Sequence, residues 1–347
     1  MTANQFGSHF SIMTFGESHG VALGVVIDGC PSGVVFDSEI IQKELGRRRP
    51  GGTSISSNGM VSPRNEQDQV EILSGVYNGY TLGTPIAMIV RNKDQRSDDY
   101  DEVKNNPRIG HADDVWKSKY NHVDHRGGGR SSGRETLGRV LGGSVAKQFV
   151  TQVAPGCEVI GFSCQIGNII LNQDDYNFLS TGVYYPDDFS ARFPSSRHEE
   201  VRDLLIFARA NGQSFGGVAE IWVRNPPRNL GQPVFAKFKA SLAQAMMSVG
   251  ATIGIEIGDG FSSAIKEGTQ FHTDHNNQIQ YGGIRGGITT GELVSFKVAF
   301  KPTSSVLDVA KQGRHDPCIV IRAIPVLEAM TWLCLAEHVL WARQDRV

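Results

Sequence analysis

Residues 126–149 read RGGGRSSGRETLGRVLGGSVAKQF and divide into a glycine-rich turn followed by an amphipathic helix. Ser132 and Glu135 have the three-residue spacing of a capping box, which predicts that a helix begins here. Apolar residues then recur at helical spacing and predict one buried face: Leu137, Val140, Leu141, Val145 and Phe149. The stretch therefore predicts a core helix that starts directly after an unusually flexible turn.

The turn before this helix is predicted to bind an anion. Three consecutive glycines let backbone N–H groups approach a ligand closely, and the helix N-terminus adds partial positive charge. Arg126, Arg130 and Arg134 follow at intervals of four and could present guanidinium groups together. The alternative is a flexible loop before a capped helix. The spacing matches neither a Walker A loop nor a dinucleotide-binding GxGxxG motif.

Elements on both sides of this stretch mix strands with helices without a regular βαβ alternation. Strands are predicted at 20–30, 85–91, 218–224 and 293–300, and helices at 37–45, 196–210, 234–248 and from Pro325 to about 343. Gly46 is the expected C-cap of the first of these helices, and Pro325 is expected in the first turn of the last. The pattern favours a single α+β or layered α/β domain over 1–347, not a Rossmann fold or a TIM barrel.

Residues 95–133 form the longest stretch with little periodicity. They are rich in Asp, His, Arg and Gly, and a long irregular segment inside a compact protein usually carries function. Arg47, Arg48 and Arg49 form a second basic group, suited to phosphate or carboxylate, although a bare arginine run is more often a solvated surface.

Composition bounds the remaining possibilities. The chain has 347 residues, a net charge of −2 and 40 glycines, so nothing in the balance suggests a nucleic-acid or membrane-surface role, and many backbone segments are expected to pack closely. No segment is expected to span a bilayer, because charges interrupt the most apolar stretch, 326–341. The N-terminus lacks the pattern of a secretory signal, and the five cysteines suggest no disulfide framework, so the cytoplasm is the expected compartment.

Three histidines near these motifs are candidate proton donors or acceptors: His19 in GESHG, His111 in GHAD and His315 in GRHDPC. Each taken singly is more often structural. His122 with His125 and His272 with His275 could mimic metal ligands, but no third ligand is suitably spaced and no metal is expected. From the residues alone the sequence predicts an enzyme-like protein with an arginine-rich site for a phosphate- or carboxylate-bearing ligand.

Taken together, the motifs resemble those of the chorismate synthase family. The matching segments occur in the family's order and span nearly the whole chain, with a looser match over about 160–210: TFGESHG (14–20), RRRPG (47–51), EILSGVYNGYTLGTPIA (71–87), GHAD (110–113), RGGGRSSGRET (126–136), RNPPRNLGQPVF (224–235), IEIGDGF (255–261), GGIRGGI (282–288), AFKPTSS (299–305) and GRHDPC (313–318).

The resemblance implies a single-domain layered βαβ sandwich that assembles as a homotetramer. It implies a lyase that converts 5-enolpyruvylshikimate 3-phosphate to chorismate and phosphate by 1,4 elimination, in the pathway to aromatic amino acids. The reaction has no net redox change but depends on reduced FMN, which a separate reductase or NADPH would supply. The flavin is implied by the resemblance alone.

The family's residue roles are transferred by motif position. His111 would protonate or stabilise the leaving phosphate, and His19 would maintain the protonation state of the reduced flavin. Asp316 would help remove the substrate's C6 proton, with Ser18 as a relay. The substrate contacts would be Arg48, Arg108, Arg130 and Arg134. The flavin contacts would be Arg130, Ser131, Ser132, Gly250, Ala251, Gly286, Lys301, Pro302, Thr303, Ser304, Ser305 and Arg314.

Some positions depart from the family pattern. Ser54 stands where many members have an arginine, which Arg64 could replace, Gln213 where the family has Asp, and Ile253 where it has Lys. The segment between Ser305 and Gly313 is shorter than usual. We expect these departures to affect affinity more than chemistry. Two alternative functions are an FMN-dependent oxidoreductase, although no Rossmann fingerprint is present, and a non-catalytic anion-binding protein.

Overall fold

The computed structural model describes residues 3–49, 57, 60–61, 68–92, 110–181, 185–273, 278–304 and 316–347. The strands are β1 (Gln5–Phe6), β2 (Ser11–Phe15), β3 (Ala22–Asp28), β4 (Ser32–Val35), β5 (Val70–Ile72), β6 (Val76–Tyr77), β7 (Tyr80–Leu82), β8 (Ile86–Arg91), β9 (Glu158–Ile166), β10 (Ile169–Ile170), β11 (Gly217–Arg224), β12 (Thr252–Ile257), β13 (Ile284–Arg285), β14 (Ile288–Thr289) and β15 (Val294–Phe300).

The α-helices within these ranges are α1 (Ser38–Arg48), α2 (Asp113–Tyr120), α3 (Thr136–Val153), α4 (Gln173–Thr181), α5 (His198–Ala210), α6 (Phe238–Met247), α7 (Gly268–Thr273) and α8 (Val320–Ala342). Short 3-10 helices, including Arg126–Ser131 and Gly133–Glu135, connect several of them.

Two five-stranded antiparallel sheets form the outer layers. The first has the strand order β1-β2-β3-β8-β5 and the second β10-β9-β11-β15-β12. Helix α3 packs on β2 and β3, α8 packs on β9 and β11, and the two helices pack on each other with α1 beside both. The helices therefore lie between the sheets, and the predicted layered α+β class is confirmed.

Close backbone approach explains part of the glycine content. A Cβ on Gly143 of α3 would lie 2.5 Å from the Cα of Ala329 in α8, and a Cβ on Gly138 would lie 3.0 Å from the carbonyl oxygen of Gly24 in β3. Real Cβ atoms do not approach other atoms this closely, so glycine lets α3 lie against both its neighbours.

Helix α8 is the central core element. The helix has 23 residues and is long and apolar enough to cross a membrane by length and composition. However, 89% of its most apolar 18-residue window is buried inside the protein. Helix α3, strands β9 and β11 of the second sheet, and helices α6 and α1 supply that cover, which is the arrangement of a core helix.

Two predicted helix boundaries are wrong for identifiable reasons. Helix α1 continues through Gly46 to Arg48, because the Arg48 side chain donates to Thr136 Oγ1 and the Gly133 carbonyl and so ties the last turn to the site. Helix α8 begins at Val320, so Pro325 lies inside the helix and not in its first turn. Proline cannot donate to the carbonyl four residues earlier, and the buried guanidinium of Arg192 donates to that carbonyl, Ile321 O, instead.

Other predicted elements are present, but they begin or end at different residues. Helix α6 starts at Phe238 and not at Val234, because residues 232 and 236 pair as an isolated bridge before it. The stretch 95–133, predicted to be irregular, contains α2, and its residues up to 109 lie outside the described part of the chain.

Candidate active site

The glycine turn before α3 encloses the loop that carries Ser18 and His19. Gly127, Gly128 and Gly129 all have left-handed φ values, +57°, +79° and +52°, which side-chain-bearing residues rarely adopt. The Ser18 hydroxyl donates towards the carbonyls of Arg126 and Gly127 at 3.2 and 3.1 Å, and Ser18 N donates to Gly129 O at 3.3 Å. The turn therefore closes around Ser18 and His19.

The ring of His19 is oriented by its neighbour. His19 Nδ1 lies 3.1 Å from Ser18 Oγ, and both side chains are buried. This contact fixes the orientation of the imidazole ring next to the glycine turn.

Arg130 is held against β2 of the first sheet. Its guanidinium donates to Thr14 O and Thr14 Oγ1 at 3.2 and 2.9 Å, and to Asn4 Oδ1 at 3.2 Å. These partners are neutral, so they orient the guanidinium without neutralising it. Arg130 thus combines a fixed position with positive charge, the combination that an anion contact needs.

Arg48 and Arg134 meet at a carboxylate that the sequence did not single out. Asp68 Oδ1 accepts from Arg134 Nη2 at 3.1 Å, and Asp68 Oδ2 lies 3.6 Å from Arg48 Nη1. Asn92 Oδ1 accepts from Arg134 Nε at 2.7 Å. Arg48 is only 2% exposed and Arg134 8%. The two predicted substrate arginines are therefore adjacent but buried. Both guanidiniums therefore contact the same carboxylate.

His111 is paired with a carboxylate at the start of α2. Its Nδ1 lies 2.7 Å from Asp113 Oδ1. The preceding carbonyl, Gly110 O, accepts from Lys301 Nζ at 2.6 Å and from Ser304 Oγ at 2.9 Å. The structure therefore joins the GHAD segment to the predicted flavin-binding segment 301–304.

Asp316 is tied to the same segment from the other side. Thr303 Oγ1 donates to the Asp316 carbonyl at 2.9 Å, and Ser214 Oγ donates to Thr303 O at 3.0 Å. The Asp316 carboxylate, 8% exposed by residue, accepts from Arg322 Nη1 at 2.6 Å. Arg322 was not predicted, because an arginine inside an otherwise apolar helix carries no motif signal.

The remaining predicted flavin contacts are two glycines, an alanine, two serines and a proline. A Cβ on Gly250 or Gly286 would meet no atom within 4 Å, so open space lies beside both. Ala251 has a left-handed φ of +68°, and its carbonyl accepts from Lys301 N at 3.0 Å. Ser131 Oγ donates to Gly128 O at 2.7 Å, and Ser132 Oγ accepts from Arg134 N. Pro302 packs beside Gly216.

Several residues singled out in the sequence lie outside the part of the chain that the structure describes. Arg108, Ser305 and Arg314 lie outside the described residues, as do His315, Ser54, Arg64 and the segment 305–313. Of the other departures, Gln213 and Ile253 are exposed. Within the described ranges no group of three or more His, Cys, Asp or Glu side chains is arranged to hold a metal ion.

The fold and these contacts define a class of protein. It is a layered α+β protein in which loops bearing arginine, lysine and hydroxyl donors contact segments bearing two histidines and a carboxylate, a set suited to chemistry on an anionic ligand. A family model described as chorismate synthase matches residues 10–340. The chain belongs to the chorismate synthase family, whose members are enzymes.

Individual relatives agree with this family. Chorismate synthase of Bdellovibrio bacteriovorus is 60% identical over 347 residues and covers 100% of both chains. Chorismate synthase of Methanococcus aeolicus is 42% identical over 365 residues, covering 96% of each. A crystal structure of chorismate synthase aligns with a TM-score of 0.75 at 29% identity, covering 97% of this chain and 93% of that one.

Proposed function

We propose that this protein converts 5-enolpyruvylshikimate 3-phosphate to chorismate and inorganic phosphate, by 1,4 elimination and with reduced FMN bound. In this reaction the C6 proton and the phosphate leave, and no net oxidation or reduction occurs. The observation that carries the proposal is the glycine turn 126–131, which encloses Ser18 and His19 beside the oriented guanidinium of Arg130. All of these residues belong to segments that match the family.

Positive charge would bind the substrate, which carries two carboxylates and a phosphate. Arg130 is oriented by neutral partners, and Arg48 and Arg134 are held next to each other by Asp68. Charge that is already oriented stabilises a departing phosphate without further reorganisation. Arg108 is proposed as a fourth contact from its motif position.

His111 is proposed to act on the leaving phosphate. Asp113 Oδ1 lies 2.7 Å from Nδ1 of His111 and would hold the ring in place while the histidine gives a proton to phosphate oxygen. On the opposite side of segment 301–304, the Asp316 carboxylate would accept the C6 proton. His19, relayed by Ser18, would hold the proton that keeps the flavin in its useful state.

The donor set fits a flavin mononucleotide. Arg130, Lys301 and the hydroxyls of Ser131, Ser132, Thr303 and Ser304 suit a phosphate and a polar ring edge, and the open space at Gly250 and Gly286 leaves room beside them. Pro302 and Ala251 would complete this surface, with Ser305 and Arg314 added from the family motifs. When bound, reduced FMN supplies electron density to the breaking C–O bond and recovers it afterwards.

We further propose a cytoplasmic homotetramer that receives reduced flavin from a separate reductase or through NADPH. The five cysteines are free and buried, as suits a reducing compartment.

An anaerobic assay tests the function. Purified protein, dithionite-reduced FMN and 5-enolpyruvylshikimate 3-phosphate are mixed, and chorismate absorbance and phosphate are followed together. We expect equal release of both, lost when the flavin is oxidised. His111→Ala should reduce turnover by about 100-fold or more, as removal of a general acid does. His122→Ala, an exposed histidine of the same region, is the matched control.

Two results would overturn the proposal. Electron transfer from NADPH without phosphate release would indicate an oxidoreductase. Substrate binding with no product under reducing conditions, unchanged in His111→Ala, would indicate a non-catalytic anion-binding protein.

A further inference from the structure

Arg322 lies in the first turn of α8 and contacts Asp316 directly, with Nη1 2.6 Å from Oδ2. We propose that Arg322 is a positioning residue whose guanidinium holds the Asp316 carboxylate aimed at the substrate's proton. The inference rests on the proposed function, since it concerns the role given there to Asp316. It adds a residue that touches neither substrate nor flavin in that account.

Burial makes such a partner necessary. A carboxylate that accepts a proton must be ionised beforehand, and Asp316 is largely removed from water. Burying an isolated charge is costly, and an adjacent guanidinium offsets that cost. Cys318 also lies near Asp316, and burial, together with this carboxylate, raises the pKa of its thiol to about 12.

The backbone of Asp316 is fixed separately from its side chain. Thr303 Oγ1 donates to Asp316 O, and Phe215 N donates to Pro317 O at 2.8 Å. These bonds locate the Cα of Asp316 but leave rotation about χ1 and χ2 open. The contact to Arg322 favours the rotamer in which the carboxylate faces Nη1.

The position of Arg322 is not explained by stability of α8. The N-terminal turn of a helix carries partial positive charge, so an arginine there is electrostatically unfavourable. Arg322 Nε is also buried without a hydrogen-bond partner among the described residues. A guanidinium that only stabilised the fold would form a hydrogen bond through Nε. Here Nη1 donates to Asp316, and Nε has no partner among the described residues.

A double-mutant cycle tests the inference. Arg322→Gln, Arg322→Lys, Asp316→Asn and the double variant Arg322→Gln/Asp316→Asn are compared in single-turnover reactions with substrate deuterated at C6. We expect Arg322→Gln to slow C–H cleavage at least about tenfold, to enlarge the deuterium isotope effect and to leave substrate KM within about twofold. Arg322→Lys, which keeps the charge, should recover part of the rate.

The decisive comparison is the double variant. If Arg322 acts through Asp316, the Arg322→Gln change has no further effect on rate in the Asp316→Asn background. Arg343→Gln, at the other end of α8, is the control. Oxidised-FMN binding and the unfolding midpoint, measured on every variant, report structural damage independently of activity.

The outcomes separate the two proposals. If Asp316→Asn cleaves C–H at the wild-type rate, the role given to Asp316 in the proposed function is wrong. If Asp316→Asn is slow but Arg322→Gln is not, or the two effects simply add, the role of Arg322 is wrong and Asp316 keeps its role. A lowered unfolding midpoint and weakened FMN binding with an unchanged isotope effect would make Arg322 structural.

Discussion

Gly127 lies against the imidazole of His19, and at the scale of single residues this is the closest constraint on the site. A Cβ at Gly127 would fall 2.1 Å from His19 Cε1 and 2.7 Å from Ser18 Oγ, and the residue has a left-handed φ. No side chain fits there unless the histidine moves.

We therefore predict that Gly127→Ala lowers turnover at least about tenfold, because both the clash and the backbone strain displace His19. The measurement is the anaerobic assay, with substrate binding followed separately. Gly133→Ala is the matched control in the same segment, since its Cβ would meet nothing within 4 Å and its φ is not left-handed. Wild-type turnover in Gly127→Ala would show that the position of His19 does not matter to the reaction.

Sequence motifs identified single residues of the site better than their partners. Ser18, His19 and Arg130 could be predicted because each stands in a short stretch with recognisable chemistry. Asp68 and Arg322 could not, because a carboxylate between two arginines is created by bringing together α1, a loop and a 3-10 turn. Such pairs depend on tertiary contact and leave no spacing in the chain.

At the scale of elements, the crossing of α3 and α8 depends on a glycine. A Cβ on Gly143 would lie 2.5 Å from the Cα and Cβ of Ala329. Both helices are buried along most of their length, and neither can shift without disturbing the sheet on its far side. The separation of the two helices is therefore set by this contact.

We predict that Gly143→Ala lowers the free energy of unfolding by about 1–3 kcal/mol through overpacking. Equilibrium denaturation with urea measures it. Gly46→Ala in α1 is the control, because its Cβ would have open space and a helical alanine is favoured over glycine by up to about 1 kcal/mol. Equal stability of Gly143→Ala and wild type would mean that the helices separate without cost.

Element types were more predictable than element ends. The spacing of apolar residues correctly predicted α3 and the strands near 85–91, 218–224 and 293–300, because this spacing is a local property of the chain. The start of α8 was missed because a distant arginine, Arg192, satisfies the carbonyl that Pro325 cannot. Rules for helix termini assume that the chain satisfies its own backbone, and here another segment does so.

At the scale of the whole molecule, both sheets share one helical layer, so stability should be lost in one transition. His338 on α8 lies in that layer at 1% exposure, with Nε2 2.9 Å from Ser241 Oγ of α6. Burial lowers the pKa of His338 to about 4, an effect that Glu337 only partly opposes. The folded protein therefore favours neutral His338.

The difference in the pKa of His338 between the folded and unfolded chain makes the free energy of unfolding depend on pH. The unfolded chain takes up this proton near pH 6.5 and the folded chain only near pH 4, so the stability contributed by His338 is complete above pH 6.5 and is lost as pH falls towards 4. The loss is up to about 3 kcal/mol from one group. We predict that His338→Gln reduces the dependence of unfolding free energy on pH across this window.

Urea denaturation at several pH values between 4 and 7 measures how the free energy of unfolding depends on pH. His122→Gln, at an exposed histidine, should leave the pH dependence as in wild type. An unchanged slope in His338→Gln would place the acid sensitivity elsewhere in the molecule.

The position of α8 in the chain has a consequence for biosynthesis. Every described strand precedes α8, so the ribosome completes the second sheet before it makes the helix that packs on β9 and β11. During that interval the apolar inner surfaces of β9 and β11 lack the partner that shields them. Segments in this condition are prone to aggregate. The nascent protein should therefore depend on chaperones until its last helix emerges, however stable the finished fold.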